Sequence, residues 1–216
     1  MTPISLHIAG TLVHPRPDAT LFWPGRQTLF VADLHLGKAS TFQARGVPMP
    51  GGDAKADLDV LSDALMDTSA RRLVILGDLY HTAAGRRDGT TDDALAEWRT
   101  RHPNLDVLLV LGNHDAHAGL PPSGLDFEVA EEPFEDAPFA FRHHPEPSEA
   151  GYTLAGHLHP GVVLSAGREQ VRLPAFVFGP RVGVLPAFGA LTGMMTVRPA
   201  TGDRVFVIAE GNVVEV

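Results

Sequence analysis

The stretch VLLVL, residues 107–111, followed by Gly112-Asn113-His114-Asp115, decides how the rest of the chain reads. Apolar residues without alternation describe a strand buried on both faces, as in a parallel or mixed sheet. Such a strand running into Gly-Asn-His-Asp delivers an amide, an imidazole and a carboxylate to the carboxyl edge of the sheet, where open α/β sheets bind ligands. Other apolar runs end alike. Residues 28–32 run into Asp33-Leu34-His35, and residues 72–76 into Gly77-Asp78. Residues 139–142 run into His143-His144-Pro145, and residues 152–155 into Gly156-His157-Leu158-His159.

Between these runs the pattern alternates. Residues 4–23 read as a leading hairpin broken by Pro15 and Pro17. Residues 37–52 are too rich in Gly and Pro for one long helix. Residues 53–69 carry Leu58, Leu61 and Leu65 at helical spacing, with Asp53 as N-cap. Residues 82–90 read as a flexible polar loop, and 91–101 as a helix capped by Thr91 with acids in its first turn and bases in its last. Strand, helix, strand, helix, strand implies a βαβ-type core. Residues 118–138 are rich in Pro and acids, with one strand near 125–130. From Phe139 onward the chain reads as strands and turns, with hairpins around residues 166–168 and 209–212. Residues 174–193 read as strands and turns packed on the sheet, or else as a loop over the site or a docking patch. The expected architecture is one α/β domain, residues 1–216, with two mixed sheets flanked by helices in a four-layer α/β/β/α sandwich.

Composition bounds the chemistry. With no cysteine among 216 residues, disulfides and thiolate metal sites are excluded, and any transition-metal site must use imidazole, carboxylate and amide ligands. No signal peptide or membrane-length apolar run is evident, so the expected location is cytoplasmic, with no membrane partner. A net charge of −9 counts against binding nucleic acid through a broad basic face. It leaves room for a phosphate substrate, because two bound divalent ions would add about four positive charges where that substrate sits.

The strand ends supply that possibility. In a strand, residues i and i+2 share a face, so Asp33 with His35, and His157 with His159, are expected to project in pairs. Asp78 offers two oxygens and can bridge two cations, Asn113 offers an amide oxygen, and His143 a further imidazole. Seven hard or borderline donors suffice for two divalent ions with positions left for water and substrate. Two ions about 3.5–4 Å apart can clamp phosphoryl oxygens for in-line displacement. His114 remains, placed to hold a phosphate oxygen or protonate a leaving group, with Asp115 expected to orient its ring.

In order, DLH, GDLY, GNHD, HHP and GHLH resemble the calcineurin-like metallophosphoesterase superfamily. The resemblance implies that Asp33, His35, Asp78 and His159 hold one metal, and that Asp78, Asn113, His143 and His157 hold the second. It gives His114 the catalytic-histidine position, and it favours His143 over His144 because the family's ligand stands two residues before proline. The flanks DLHLGKASTFQARGVPMP, GDLYH, RHHPEP, GHLHPGVVL and LPAFGALTG resemble the bacterial ligase-associated metallophosphoesterases. That narrower resemblance implies a Mn2+-dependent DNA phosphodiesterase or nuclease acting in repair beside an ATP-dependent DNA ligase and a helicase.

The expected activity is therefore phosphodiester hydrolysis with two divalent ions, Mn2+ first and Fe or Zn as alternatives. A nucleotide or small-molecule phosphatase and a non-catalytic interaction module are the rival readings. His81 and His117, three residues beyond Asp78 and His114, could back the ligands or touch substrate. Lys38 and Arg45 could meet a second phosphate or be solvated. Because imidazole must be neutral to coordinate, activity should rise as pH climbs through about 6 to 7.

Overall fold

A computed structural model describes residues 4–44, 46–47, 54–167 and 169–216. The expected cap Asp53 lies outside the described residues. The chain opens with β1 (Leu6–Ile8), β2 (Thr11–Pro15), β3 (Leu21–Trp23) and β4 (Thr28–Val31). Helices α1 (Lys38–Ala44) and α2 (Ala54–Thr68) lead to β5 (Arg72–Leu76), and α3 (Thr90–Arg101) leads to β6 (Asp106–Val110). The short α4 (Asp115–Ala118) precedes β7 (Glu128–Ala130), β8 (Phe134–Asp136), β9 (Phe139–Phe141) and β10 (Tyr152–Ala155). Then come β11 (Pro160–Ala166), β12 (Glu169–Phe178), β13 (Val182–Val184), β14 (Met195–Thr196), β15 (Arg204–Ala209) and β16 (Asn212–Glu215).

Among the described residues these strands form two mixed sheets. The first runs in chain order from β1 to β7, antiparallel up to β4 and parallel from β4 to β7. The second runs β14-β11-β12-β13-β10-β9-β8, with β15 on β12 and β16 on β15. Within it β9 and β10 are parallel. The facing sheets enclose an aromatic core of Phe30, Phe139, Phe141, Phe176 and Phe206, with Phe30 edge-on to Phe141 at 5.2 Å. Leu58, Leu61 and Leu65 of α2, together with Leu95 and Trp98 of α3, cover the other face of the first sheet. Burying each such side chain contributes about 1.5–3 kcal/mol. The result is the α/β sandwich of two mixed sheets with flanking helices. Parallel pairing makes β4, β5 and β6 end at one edge of the first sheet, and β9 and β10 at one edge of the second. No described helix is long and apolar enough to cross a membrane.

Four local readings change. The leading hairpin is three strands, because the turn at residues 16–20 closes on itself through Arg16 N–H to Thr20 O, at 2.9 Å, and sends β3 back beside β2. Residues 82–90 are pinned, not flexible. A 3-10 turn, Ala83–Arg86, buries Gly85 against α1, and Arg86 bonds Asp92 and the Ala118 carbonyl while stacking 4.0 Å over Tyr80. Thr91 does not cap α3; its hydroxyl donates to the Gly85 carbonyl, and Asp88 accepts the Thr90 N–H instead. Residues 118–138 carry a second strand, β8, which pairs with β9.

Candidate metal centre

The strand ends meet, but not by strand alternation. β4 stops at Val31, and Asp33 (φ 55°), His35 (φ 48°), Asp78 (φ 55°), His157 (φ 71°) and His159 (φ 45°) all lie in the left-handed region. Such a conformation costs a non-glycine residue on the order of 1–3 kcal/mol and persists only where the surroundings impose it. Here the main chain does so: Asp33 N–H donates to Gly77 O, His35 N–H to Asp78 O and Leu36 N–H to Leu79 O. The two ligand-bearing turns of the first sheet are laced together residue by residue.

The side chains form two contiguous groups. In one, His35 Nε2 lies 3.3 Å from His159 Nε2, which lies 3.4 Å from Asp33 Oδ1. In the other, His143 Nε2 lies 2.9 Å from Asn113 Oδ1 and 3.0 Å from His157 Nδ1. Asp78 joins them, its Oδ2 being 3.8 Å from His35 Nε2 and 3.5 Å from His143 Nε2. Asp33, Asp78, His35 and His143 are buried.

Two glycines explain why these turns read Gly-Asp and Gly-Asn. A Cβ on Gly77, itself at φ 83°, would collide with the His143 ring. A Cβ on Gly112 would collide with the Asp78 carboxylate. Each glycine leaves the space its neighbour's donor occupies.

Proton bookkeeping shows what the arrangement can hold. His143 Nδ1 donates to the Leu76 carbonyl at 3.1 Å, so Nε2 of the neutral ring carries a lone pair. That lone pair faces a carboxylate oxygen, an amide oxygen and a second imidazole nitrogen. Likewise His159 Nδ1 donates to the Gly193 carbonyl at 3.2 Å and turns its Nε2 lone pair toward Asp33. Lone pairs outnumber protons in both groups, and all the donors are nitrogen or oxygen. These residues fit divalent cations of the Mn, Fe or Zn type.

Burial tunes the ligands toward the same end. It pulls the His35 imidazole down to about 2, helped by His159 and His114. It also lowers His143 and His157. Burial thus favours the neutral, coordinating form of all three rings. Burial raises the Asp78 carboxyl, against the His114 main-chain N–H that it accepts, and burial likewise raises Asp115.

His114 stands beside the first group, edge-on to His35 with ring centroids 4.8 Å apart. Asp115 does not orient it. The buried Asp115 carboxylate instead accepts main-chain N–H groups of Asp78 (2.9 Å), Gly112 (2.9 Å) and Tyr80 (3.4 Å), tying the two turns together. The ring of His114 is oriented by the His81 carbonyl, which accepts Nδ1–H at 2.6 Å and leaves Nε2 as the other ring nitrogen. The His81 ring stacks on His114 at 5.3 Å and meets His35 edge-on at 5.3 Å.

The remaining candidates divide. Lys38 is half-buried at the start of α1, where burial lowers its ammonium and the Asp33 charge partly restores it. His117 is exposed and grips the chain behind a donor, Nδ1 to the Asn113 carbonyl at 3.0 Å. Arg45 lies outside the described residues. Residues 185–193 pack against the site, with Phe188 N–H on Ala32 O and Gly193 O on His159. Glu132 was missed from the sequence. It accepts both the main-chain N–H and the Nδ1–H of His144, and although burial pushes its carboxyl up, those bonds hold it below the usual range. Nothing in its Pro- and acid-rich surroundings distinguishes it from Glu131 or Glu135.

Residues 27–173 match the family model of calcineurin-like phosphoesterases. Among solved structures, the nuclease MPE of Pseudomonas putida superposes with a TM-score of 0.88 and 37% identity, covering 100% of both chains. The phosphoesterase YfcE of E. coli aligns with a TM-score of 0.40 and 15% identity over 88% of this chain and 97% of its own, a likeness too distant to inform the site. No curated protein sequence matches significantly. The match over most of the chain, the sandwich fold and the oxygen and nitrogen donor set agree: the chain belongs to the calcineurin-like phosphoesterase family and is a metal-dependent phosphoesterase.

Proposed function

We propose that the chain hydrolyses phosphodiester bonds in DNA with two divalent ions, Mn2+ foremost. Asp33, His35, Asp78 and His159 would hold one ion, and Asp78, Asn113, His143 and His157 the other. The observation that carries this reading is the Asp78 Oδ2 atom standing between His35 Nε2 (3.8 Å) and His143 Nε2 (3.5 Å), so that one carboxylate serves both groups. Bound there, such ions activate water and stabilise charge on phosphoryl oxygens. The protein's own part is to fix the donors, keep the imidazoles neutral and present His114. With Nδ1–H committed to the His81 carbonyl, His114 Nε2 is the nitrogen left for the substrate, and in the imidazolium form of the ring it would give its proton to the departing oxygen.

DNA as substrate is supported by the 37% identity with a bacterial nuclease, and the net charge of −9 places the burden of phosphate attraction on the ions. A role in repair beside an ATP-dependent DNA ligase and a helicase rests on the flanking sequence blocks alone. The test is whether purified protein with Mn2+ nicks supercoiled plasmid and turns over bis-nitrophenyl phosphate. Turnover of the mono-nitrophenyl ester alone would favour the phosphatase reading. No turnover of either ester, with a chain that still binds a protein partner, would favour the interaction module.

A further inference from the structure

His143 and His144 are adjacent imidazoles, and Glu132 holds the main-chain N–H of both. Glu132 follows β7 and belongs to none of the sequence blocks that end in Asp, Asn or His. Its Oε2 accepts the main-chain N–H of His143 at 2.7 Å and of His144 at 3.0 Å, while Oε1 accepts His144 Nδ1–H at 2.6 Å. Arg142 Nε, 3.7 Å from Oε2, supplies the countercharge. A carboxylate taking several such donors makes charge-assisted bonds about twice as strong as neutral ones.

The consequence falls on a peptide already held elsewhere. Arg142 N–H donates to Leu154 O at 3.0 Å and Gly156 N–H to His143 O at 3.2 Å, so the main chain of His143 is gripped on both sides. Its ring is held by the Leu76 carbonyl, which leaves Nε2 one direction, toward Asp78 and Asn113. The His144 ring packs on both half-site rings, its centroid 4.9 Å from that of His143 and 4.6 Å from that of His157. Its Nδ1–H donates to Glu132, which fixes that ring beside the half-site.

We propose that Glu132 is the positioning residue for the half-site of Asp78, Asn113, His143 and His157, because its carboxylate fixes the 143–144 peptide that carries the His143 ring. This rests on the dimetal reading above. Groups behind a ligand typically change metal affinity about 10–100-fold when removed. Removing Glu132 frees the 143–144 peptide and leaves its two N–H groups without that acceptor.

The experiment titrates Mn2+ into the full-length metal-free chain, wild type, Glu132→Ala, Glu132→Gln and Glu132→Asp, and reads the number of bound ions and their affinities by calorimetry and electron paramagnetic resonance. The expected result is two ions in the wild type. Glu132→Ala should hold one at wild-type affinity and the second about 10–100-fold more weakly, with Glu132→Asp recovering part of the loss. Two ions bound by Glu132→Ala as in the wild type would overturn the inference alone, even if the variant melts lower. Should Glu132→Ala not fold, unchanged second-ion affinity in Glu132→Gln, which keeps the shape but not the charge, would overturn it as well. A wild type binding fewer than two ions would overturn the dimetal reading and this inference together.

Discussion

The Asp33 carboxylate accepts the main-chain N–H of His157, at 2.9 Å to Oδ2 and 3.2 Å to Oδ1, across 124 residues of sequence. One side chain thereby ties the turn after β4 in the first sheet to the turn after β10 in the second. The carboxylate is fully buried. Replacing it with alanine leaves an N–H without its acceptor, at a cost of about 1–3 kcal/mol. Asp33→Ala is therefore expected to lower the melting temperature even in excess chelator, where no ion contributes. Equal melting of variant and wild type in chelator would show that the tie is not structural.

His114 is held by a carbonyl, not by a carboxylate: its Nδ1–H donates to His81 O at 2.6 Å. His114→Ala should keep the wild-type number of bound ions and lose about 10²–10⁴-fold in kcat on DNA, the usual range for a positioned acid. The loss should be smaller on bis-nitrophenyl phosphate, whose leaving group needs no proton. Equal losses on both substrates would place His114 on a phosphate oxygen instead of the leaving group.

Asp115 is expected to behave as a fold residue. Its buried carboxylate accepts three main-chain N–H groups, those of Asp78, Gly112 and Tyr80. Asp115→Ala should destabilise the chain by about 3 kcal/mol or more, since each abandoned donor costs on the order of 1 kcal/mol. Urea unfolding measures this. A change under 1 kcal/mol would contradict the anchoring role, given those magnitudes.

These cases show which parts of the molecule the amino-acid sequence reveals. The apolar runs at residues 28–32, 72–76 and 107–111 are buried on both faces by the sheets and helices, so their strand character follows from composition alone. The donors that follow them are conspicuous because Asp, Asn and His are costly to bury and need a reason to be there. Their aim was not legible. The left-handed turns at Asp33, His35, Asp78, His157 and His159 exist because distant main-chain groups impose them, and no local pattern of residue types announces such partners. Glu132 and the His81 carbonyl were hidden for the same reason. Each acts through a hydrogen bond that only the folded chain creates, and a carbonyl has no letter in the sequence at all. Residues 82–90 were misread because Gly, Thr and Arg in a polar run look solvated until Asp92, Tyr80 and α1 are placed around them.

Acid should destabilise the metal-free protein. Burial depresses His35, to about 2, and also His143 and His157. The unfolded chain takes up their protons near pH 6.5 while the folded chain does not, so their contribution is complete above that value and is lost as pH falls toward the folded values. For His35 the loss is about 1.4 kcal/mol per pH unit below 6.5. The raised carboxyls of Asp78 and Asp115 act oppositely, favouring the fold at low pH and losing that contribution as pH rises through their folded values. The His35 contribution alone, about 1.4 kcal/mol between pH 6.5 and 5.5, sets the expected direction: melting in chelator should occur at lower temperature at pH 5.5 than at pH 7.5. A flat or opposite trend would mean that the rings are solvated in the metal-free state.

The most direct measurement is anomalous scattering from crystals grown with Mn2+. The arrangement of Asp78 between His35 and His143 requires two peaks per chain, about 3.5–4 Å apart. One should lie among Asp33, His35, Asp78 and His159, and the other among Asp78, Asn113, His143 and His157. A single peak, or ions bound away from Asp78, would contradict a phosphoesterase centre built on one shared carboxylate.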